Sequence, residues 1–229
     1  LHAVYMRDSD GSPAVKLGDG VNPRLSPDGR WALTSMEGTP ARIFLLPTGA
    51  GETKIVPTGR LNCHNFAWFP DGTRICVVAN EGSGSLRLYE LDIETGAQRA
   101  FSEEGMSPMD LLVAPDGSFV GARGPDLIYR LYPIEGGQAN PLADLGSEER
   151  PIGWNADGSA LCAFHRGALP AKIYRIDLAT GERTLYRELS PSDTTGVEGL
   201  TAVRMTPDES TFVYSYPQSL SDLYVIEGL

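Results

Sequence analysis

An all-β fold of repeated four-stranded antiparallel blades, a β-propeller, is predicted by three features of this chain. The first is a turn that recurs five times: Ser26-Pro27-Asp28-Gly29, Phe69-Pro70-Asp71-Gly72, Ala114-Pro115-Asp116-Gly117, Asn155-Ala156-Asp157-Gly158 and Thr206-Pro207-Asp208-Glu209. The aspartates stand 43, 45, 41 and 51 residues apart, and a strand-rich repeat of roughly 40–50 residues is the period of a propeller blade. The second feature is another turn, Asp92-Ile93-Glu94-Thr95-Gly96 and Asp177-Leu178-Ala179-Thr180-Gly181, each following a run of alternating apolar and polar residues. The third is the position three before each turn aspartate, which reads Leu25, Trp68, Val113, Trp154 and Met205. A large apolar residue at every copy predicts a ring of core side chains.

The elements follow in order from that frame. Residues 1–20 supply the two outer strands, C and D, of a blade without its inner pair. Full blades of strands A to D are expected over 21–60, 61–104, 105–146 and 147–190, and residues 191–229 supply A, B and C without D, all within one propeller domain over 1–229. In the second full blade, Phe66–Phe69 reads as A, Arg74–Ala79 as B, Leu86–Asp92 as C and Gln98–Phe101 as D. Strand C alternates, in Leu86–Leu91 and again in Lys172–Asp177, as a half-exposed strand does. Strand B is uniformly apolar, as expected of a strand packed on both faces. Each end of the chain lacks what the other has. The simplest closure sets Ala14–Leu17 beside the last blade, where Val4-Tyr5-Met6 competes with Leu223-Tyr224-Val225 for position C, and gives five blades without open edges. The alternative is a piece of a ring of six or more.

Composition bounds the function. The chain has 229 residues, 41% of them apolar, and a net charge of −11. No apolar run approaches the ~18–20 residues that span a bilayer, so no membrane insertion is expected of this chain. The acidic balance repels phosphate backbones, and no Lys/Arg cluster is interleaved with aromatics, so nucleic acid is not an expected partner. The chain begins at Leu1 without a Met or an apolar leader, which suggests an excised domain or a processed product.

The repeated acids and the cysteines both read as structural. Pro presets φ for a tight turn, Asp caps it through a local hydrogen bond and Gly supplies positive φ. No calcium loop with alternating oxygen ligands is present, and no cofactor or metal is expected. Cys76 and Cys162 each fall five residues after a turn aspartate, on strand B of alternate blades, and read as small apolar core residues. Cys63 reads as a loop residue in Leu61-Asn62-Cys63-His64-Asn65. Three thiols give neither a disulfide framework nor zinc spacing.

Any binding site is expected where strand A begins, because the D–A and B–C loops of a propeller share that face and loops on a rigid scaffold commonly carry function. Six residues before the turn aspartates stand Asn22, Asn65, Asp110, Pro151 and Ala202. With His64, Glu103, Glu104, Arg123, Asp126, Glu148, Glu149, Arg150, His165, Arg166 and Glu198 they outline a mixed-charge, mainly acidic rim. The binding candidates are Asn22, His64, Asn65, Asp110, Arg123, Asp126, Glu149, Arg150, His165 and Arg166. The expected partner is a protein or peptide, or a small ligand in the channel, and exchange of end strands with a second chain is a route to an oligomer. The alternative is that these loops are merely solvated.

Several local runs resemble a known family. Ser9-Asp10-Gly11-Ser12-Pro13-Ala14-Val15-Lys16-Leu17-Gly18, Leu45-Leu46-Pro47-Thr48-Gly49-Ala50-Gly51-Glu52, Glu149-Arg150-Pro151-Ile152 and Ser221–Leu229 resemble the carboxy-terminal WD40-like propellers of bacterial Ser/Thr protein kinases, the acidobacterial type in particular. The Pro-Asp-Gly units alone resemble the broader PD40 or TolB-like propellers. The resemblance implies a non-catalytic sensor or docking domain on the extracytoplasmic side of a membrane-anchored protein, with a cytoplasmic place as the alternative. The kinase motifs themselves (Gly-rich loop, His-Arg-Asp, Asp-Phe-Gly) do not occur in this chain. Two alternatives stand beside it: a TolB-like periplasmic binding protein, and the gating propeller of a prolyl-oligopeptidase-like hydrolase. For the latter the chain has no G-x-S-x-G, since Gly82-Ser83-Gly84-Ser85 has the wrong spacing, and its histidines are only His2, His64 and His165.

Overall fold

The computed structural model describes residues 2–8, 10–36, 38, 41–142 and 145–220. The described residues form strands, turns and bends, with no helix among them. The chain divides into two compact units, residues 1–142 and 143–229.

The first unit opens with a two-stranded sheet of β1 (Ala3–Met6) and β2 (Val15–Asp19). Three four-stranded antiparallel sheets follow, each a meander in chain order. The first is β3 (Val21–Leu25), β4 (Trp31–Met36), β5 (Arg42–Pro47) and β6 (Lys54–Ile55). The next is β7 (Leu61–Trp68), β8 (Arg74–Glu81), β9 (Arg87–Asp92) and β10 (Gln98–Ala100). The last is β11 (Leu112–Val113), β12 (Phe119–Arg123), β13 (Tyr129–Pro133) and β14 (Asn140–Pro141). The second unit holds one more such sheet, β15 (Glu149–Trp154), β16 (Ala160–His165), β17 (Ala171–Asp177) and β18 (Arg183–Leu189), and a hairpin of β19 (Ala202–Met205) and β20 (Phe212–Ser215). These sheets are the blades of a β-propeller, four of them complete among the described residues. The expected third strand of the last blade, Leu223-Tyr224-Val225, lies outside the described residues.

Strand B explains why the blades stack. Side chains alternate across a strand, and in β8 both sets are buried. Ile75, Val77 and Ala79 enter a core with Leu33, Ile43 and Leu45 of the preceding sheet, while Cys76 and Val78 enter another with Val120, Ala122 and Tyr132 of the following one. In the second unit Cys162 and Phe164 of β16 pack with Val203 of the hairpin, and Leu161 and Ala163 are buried as well. Cys76 and Cys162 are thus equivalent apolar core residues, and burial raises both thiol pKa values above the ordinary 9.0. Cys63 differs from expectation. It lies inside β7 rather than in a loop, buried in the core shared with the preceding sheet, and burial pushes its thiol up to about 12.

The recurrent apolar position is a core site in part. Trp154 is buried, and Trp68, Val113 and Met205 are half-buried against neighbouring sheets. Leu25 breaks the series at 58% exposure. In this position a side chain leans on the sheet before its own, as Trp68 does when its Nε1 donates to the Arg24 carbonyl (3.1 Å). Ahead of β3 stands only the two-stranded sheet β1–β2, so no inner strand of that sheet covers Leu25.

The turns behave as caps. Asp28, Asp71, Asp116, Asp157 and Asp208 each accept the backbone N–H two residues on, at 3.0, 2.8, 2.9, 2.9 and 3.1 Å. The next residue is left-handed every time: Gly29, Gly72, Gly117 and Gly158 at φ from 69° to 73°, and Glu209 at φ 58°. A glycine occupies this conformation freely and a glutamate rarely. Glu209 is held there by an ion pair with Arg175 of β17. Asp92 and Asp177 close the C–D hairpins similarly, accepting the N–H groups of Thr95 (2.7 Å) and Thr180 (2.8 Å).

Two outcomes follow. Leu33→Ala should cost about 2–5 kcal/mol by emptying a core site, while Leu25→Ala should change stability by less than about 0.5 kcal/mol; chemical denaturation of both variants checks the contrast. For the turns, the Ser26 hydroxyl and Arg30 N–H lower the Asp28 pKa below the ordinary 3.8, and the Ser159 hydroxyl and N–H do the same for Asp157. A depressed carboxyl stabilises the fold above its unfolded value and loses that contribution as pH falls through the lower folded value. Stability should therefore drop below about pH 4, and the Asp28→Asn/Asp157→Asn variant, which keeps an acceptor and removes the charge, should show a shallower drop in urea unfolding between about pH 4 and pH 2.

Candidate functional site

The backbone at the start of strand A is irregular, and this governs which residues stand there. Asn22 and Asp110 are left-handed, at φ 53° and 59°. The pairing of β3 with β4 shifts by a residue between Val21 and Arg24, that of β7 with β8 between Cys63 and Asn65, and that of β15 with β16 between Pro151 and Gly153. Asn and Asp are the non-glycine residues that best tolerate a left-handed backbone. The polar identity of Asn22 and Asp110 is therefore a conformational requirement as well as a surface property. Asn22 itself is exposed.

In the first unit the bulge in β7 turns His64 outward while Cys63 stays buried. His64 Nε2 lies 3.0 Å from Asn80 Oδ1 and 3.2 Å from Asn62 Nδ2. Asn80 is buried and donates its amide to the Gly82 carbonyl (2.7 Å). Asn65 braces the next loop by donating to the Pro108 carbonyl (2.8 Å), and its Oδ1 accepts the Phe66 N–H (2.9 Å).

Asp110 and Arg123 form a buried pair rather than two solvated rim charges. Arg123 Nε donates to Asp110 Oδ2 at 2.6 Å, with the side chains only 4% and 8% exposed. Arg123 also donates from Nη1 to the Leu127 carbonyl (2.9 Å) and lies 6.0 Å from the centre of the Tyr129 ring. Asp126 is exposed and takes both Arg130 guanidinium nitrogens at 2.6 Å, a fork that holds its carboxyl well below the usual range. The Tyr132 hydroxyl donates to Glu103 Oε1 at 3.0 Å.

In the second unit Glu149 is also buried in a pair. Burial alone would raise its pKa, but the Arg183 guanidinium and the Gly146 N–H (3.0 Å) outweigh burial and lower it. Arg150 is half-buried in register with Phe164, and His165 and Arg166 are exposed at the end of β16, where His165 Nδ1 sits 2.9 Å from the Arg166 carbonyl. Within each unit, then, the structure converts several expected rim charges into internal clamps, and leaves His64, Asp126, His165 and Arg166 at the surface.

Sequence reasoning missed the clamping partners: Asn80, Tyr132 and Arg183, which lie far along the chain from the groups they hold, and Asn62 and Arg130, two and four residues from His64 and Asp126. It also missed Arg175 and Glu209. That pair lines a depression of about 250 Å³ with Asn155, Asp157 and Asp208, at the A–B turn end of the sheets rather than where strand A begins. The replacement of the turn glycine by Glu209 was its available signal.

Breaking the Asp110–Arg123 pair should be costly. Arg123→Met, or Asp110→Asn, which keeps a side chain suited to φ 59°, should each lose about 3–5 kcal/mol by leaving a buried group without its counterpart. The double variant should recover much of that loss, as read by equilibrium denaturation.

No family model matches the chain, and no curated protein does. Solved structures do match. TolB from Acinetobacter baumannii superposes with a TM-score of 0.67 at 20% identity, over 94% of this chain and 59% of that one. A protein assigned as TolB from Agrobacterium tumefaciens gives 0.66 at 18% identity, over 90% and 74%. Oligogalacturonate lyase from Vibrio parahaemolyticus gives 0.62 at 19%, over 91% and 62%. The chain spans about three-fifths of the length of the Acinetobacter protein. At these identities the likeness shows the fold: this chain is a TolB-like β-propeller in architecture.

Proposed function

We propose that this propeller is a non-catalytic interaction domain that binds a protein or peptide at the ends of its sheets where strand A begins. The observation that carries the reading is the state of the polar groups there. Asn65, Asp110, Arg123, Asp126 and Glu149 are held by intramolecular hydrogen bonds and ion pairs at 2.6–3.0 Å, so the loops are fixed in advance, which lowers the ordering cost of binding. The histidines are placed unlike catalytic bases. His64 faces two amides, while His165 faces its neighbour's carbonyl and stands across the sheet from Glu149, whose carboxylate Arg183 takes; a catalytic base would instead address a nucleophile.

Fold alone does not choose between roles, since the structural neighbours include proteins named TolB and a lyase. The kinase resemblance supports a place as the carboxy-terminal sensor or docking domain of a membrane-anchored bacterial Ser/Thr kinase, facing outside the cytoplasm. The likeness to TolB favours, as a second reading, a binding protein without a kinase.

The test joins binding to turnover. Arrays of 15-residue peptides should retain the purified chain, and His64→Ala in the first unit or Arg166→Ala in the second, each made alone, should weaken retention several-fold without lowering the melting temperature. Small solutes should leave the melting temperature unchanged. Turnover of oligogalacturonate, or of peptide and ester substrates, by the chain would sink the non-catalytic reading.

A further inference from the structure

One part of the first unit combines exposed apolar side chains, excess acid and rigid loops. The loop 103–110 and the hairpin 124–128 between β12 and β13 are locked together. The Ser107 N–H donates to the Arg123 carbonyl (3.0 Å), and a Cβ on Gly105 would lie 3.2 Å from the Pro125 side chain. Arg123 completes the lock. It holds Asp110 from the loop and the Leu127 carbonyl from the hairpin. From this latch three large apolar side chains project into solvent: Met109, Leu127 and Ile128, at 45%, 56% and 44% exposure.

Leu127 is the most telling of the three. Its φ is +64°, a conformation natural to glycine and unusual for a leucine. Its backbone is fully used, the N–H donating to the Gly124 carbonyl (3.0 Å) and the carbonyl accepting from Arg123. Its side chain gains little from folding, because more than half of it faces water. A glycine would serve the hairpin better, so the leucine side chain serves something outside the fold.

Charge identifies what that is. Around the apolar side chains stand Glu103, Glu104, Asp110 and Asp126 against Arg123 and Arg130. Arg123 is paired with Asp110 and Arg130 with Asp126, and Arg87 gives its guanidinium to the Ser102 carbonyl beside Glu103, so the exposed Glu103 and Glu104 exceed the remaining cation by one charge. A second copy of this chain would bring the same acid excess and be repelled.

We propose that this latched pair of loops is a docking platform for an extended peptide carrying Lys or Arg beside aliphatic side chains. The aliphatic groups cover Met109, Leu127 and Ile128, with the methionine adapting to their shape, and the cations meet Glu103 and Glu104. The inference rests on the interaction reading above and adds the place and the chemistry of the partner.

The test uses the full chain and fluorescein-labelled dodecapeptides read by fluorescence anisotropy: one alternating leucine with lysine and arginine, one with the cations replaced by glutamate, and one with the leucines replaced by serine. The first should bind, more weakly at high salt, and the other two at least tenfold less. Leu127→Gly should weaken binding about fivefold or more while leaving the melting temperature unchanged or raised, which separates recognition from folding. Glu103→Lys/Glu104→Lys should weaken it at least tenfold. Equal binding of the glutamate peptide, or full binding by both variants, overturns this platform while leaving the interaction reading intact. Self-association of the chain that Leu127→Gly abolishes would assign the patch to a second copy and overturn it too. Failure of all three peptides overturns it, and the array above then decides the broader reading.

Discussion

The fold depends on strands that bury both faces. In β8 successive side chains pass alternately into the sheet before and the sheet after, and in both β8 and β16 nearly every side chain is removed from water. Such a strand cannot be stable in one isolated sheet, because half its apolar surface would stay wet. Stacking is therefore compulsory, and the repeat in the sequence is its consequence. The exposed Leu25 shows the same constraint from the other side: where the described residues supply no inner strand to the preceding sheet, an apolar residue at a position at least half-buried in the other copies is left in solvent.

Close stacking also limits where irregularity can occur. The A–B turns share an aspartate cap followed by a left-handed residue, glycine in four copies and Glu209 in the fifth, and the C–D connections after β9 and β17 share the caps of Asp92 and Asp177. The opposite ends carry the bulges, the left-handed Asn22 and Asp110, and the loops of unequal length. Variation is tolerated there because the core is already complete below it. That is the physical reason a binding surface is sought at those ends.

Electrostatics acts mostly inward. With a net charge of −11 the chain needs its cations for specific tasks, and Arg123, Arg130 and Arg183 each hold a carboxylate that would otherwise be an open rim charge. Glu104, by contrast, is exposed on the loop that Arg123 ties to the β12–β13 hairpin. The rigidity of the loops and the sign of their surface charge have one origin.

Much of this was legible in the residues. The turn period set the blade length, the uniformly apolar B strands implied burial on both faces, and the Asp-x-x-Thr-Gly runs marked the C–D hairpins, because each depends on neighbours within a few positions. The candidate site was legible only as a list of polar loop residues. That Asp110 and Arg123 bury each other, that His64 faces two asparagines, and that Cys63 lies in a strand depend on pairing register and on a one-residue bulge, which no local pattern encodes. Composition and period alone determined an acidic, repeated all-β architecture; only the tertiary structure decided which charges face the solvent, because pairs such as Arg123–Asp110 and Arg183–Glu149 join residues that the sheets, not the chain, bring together.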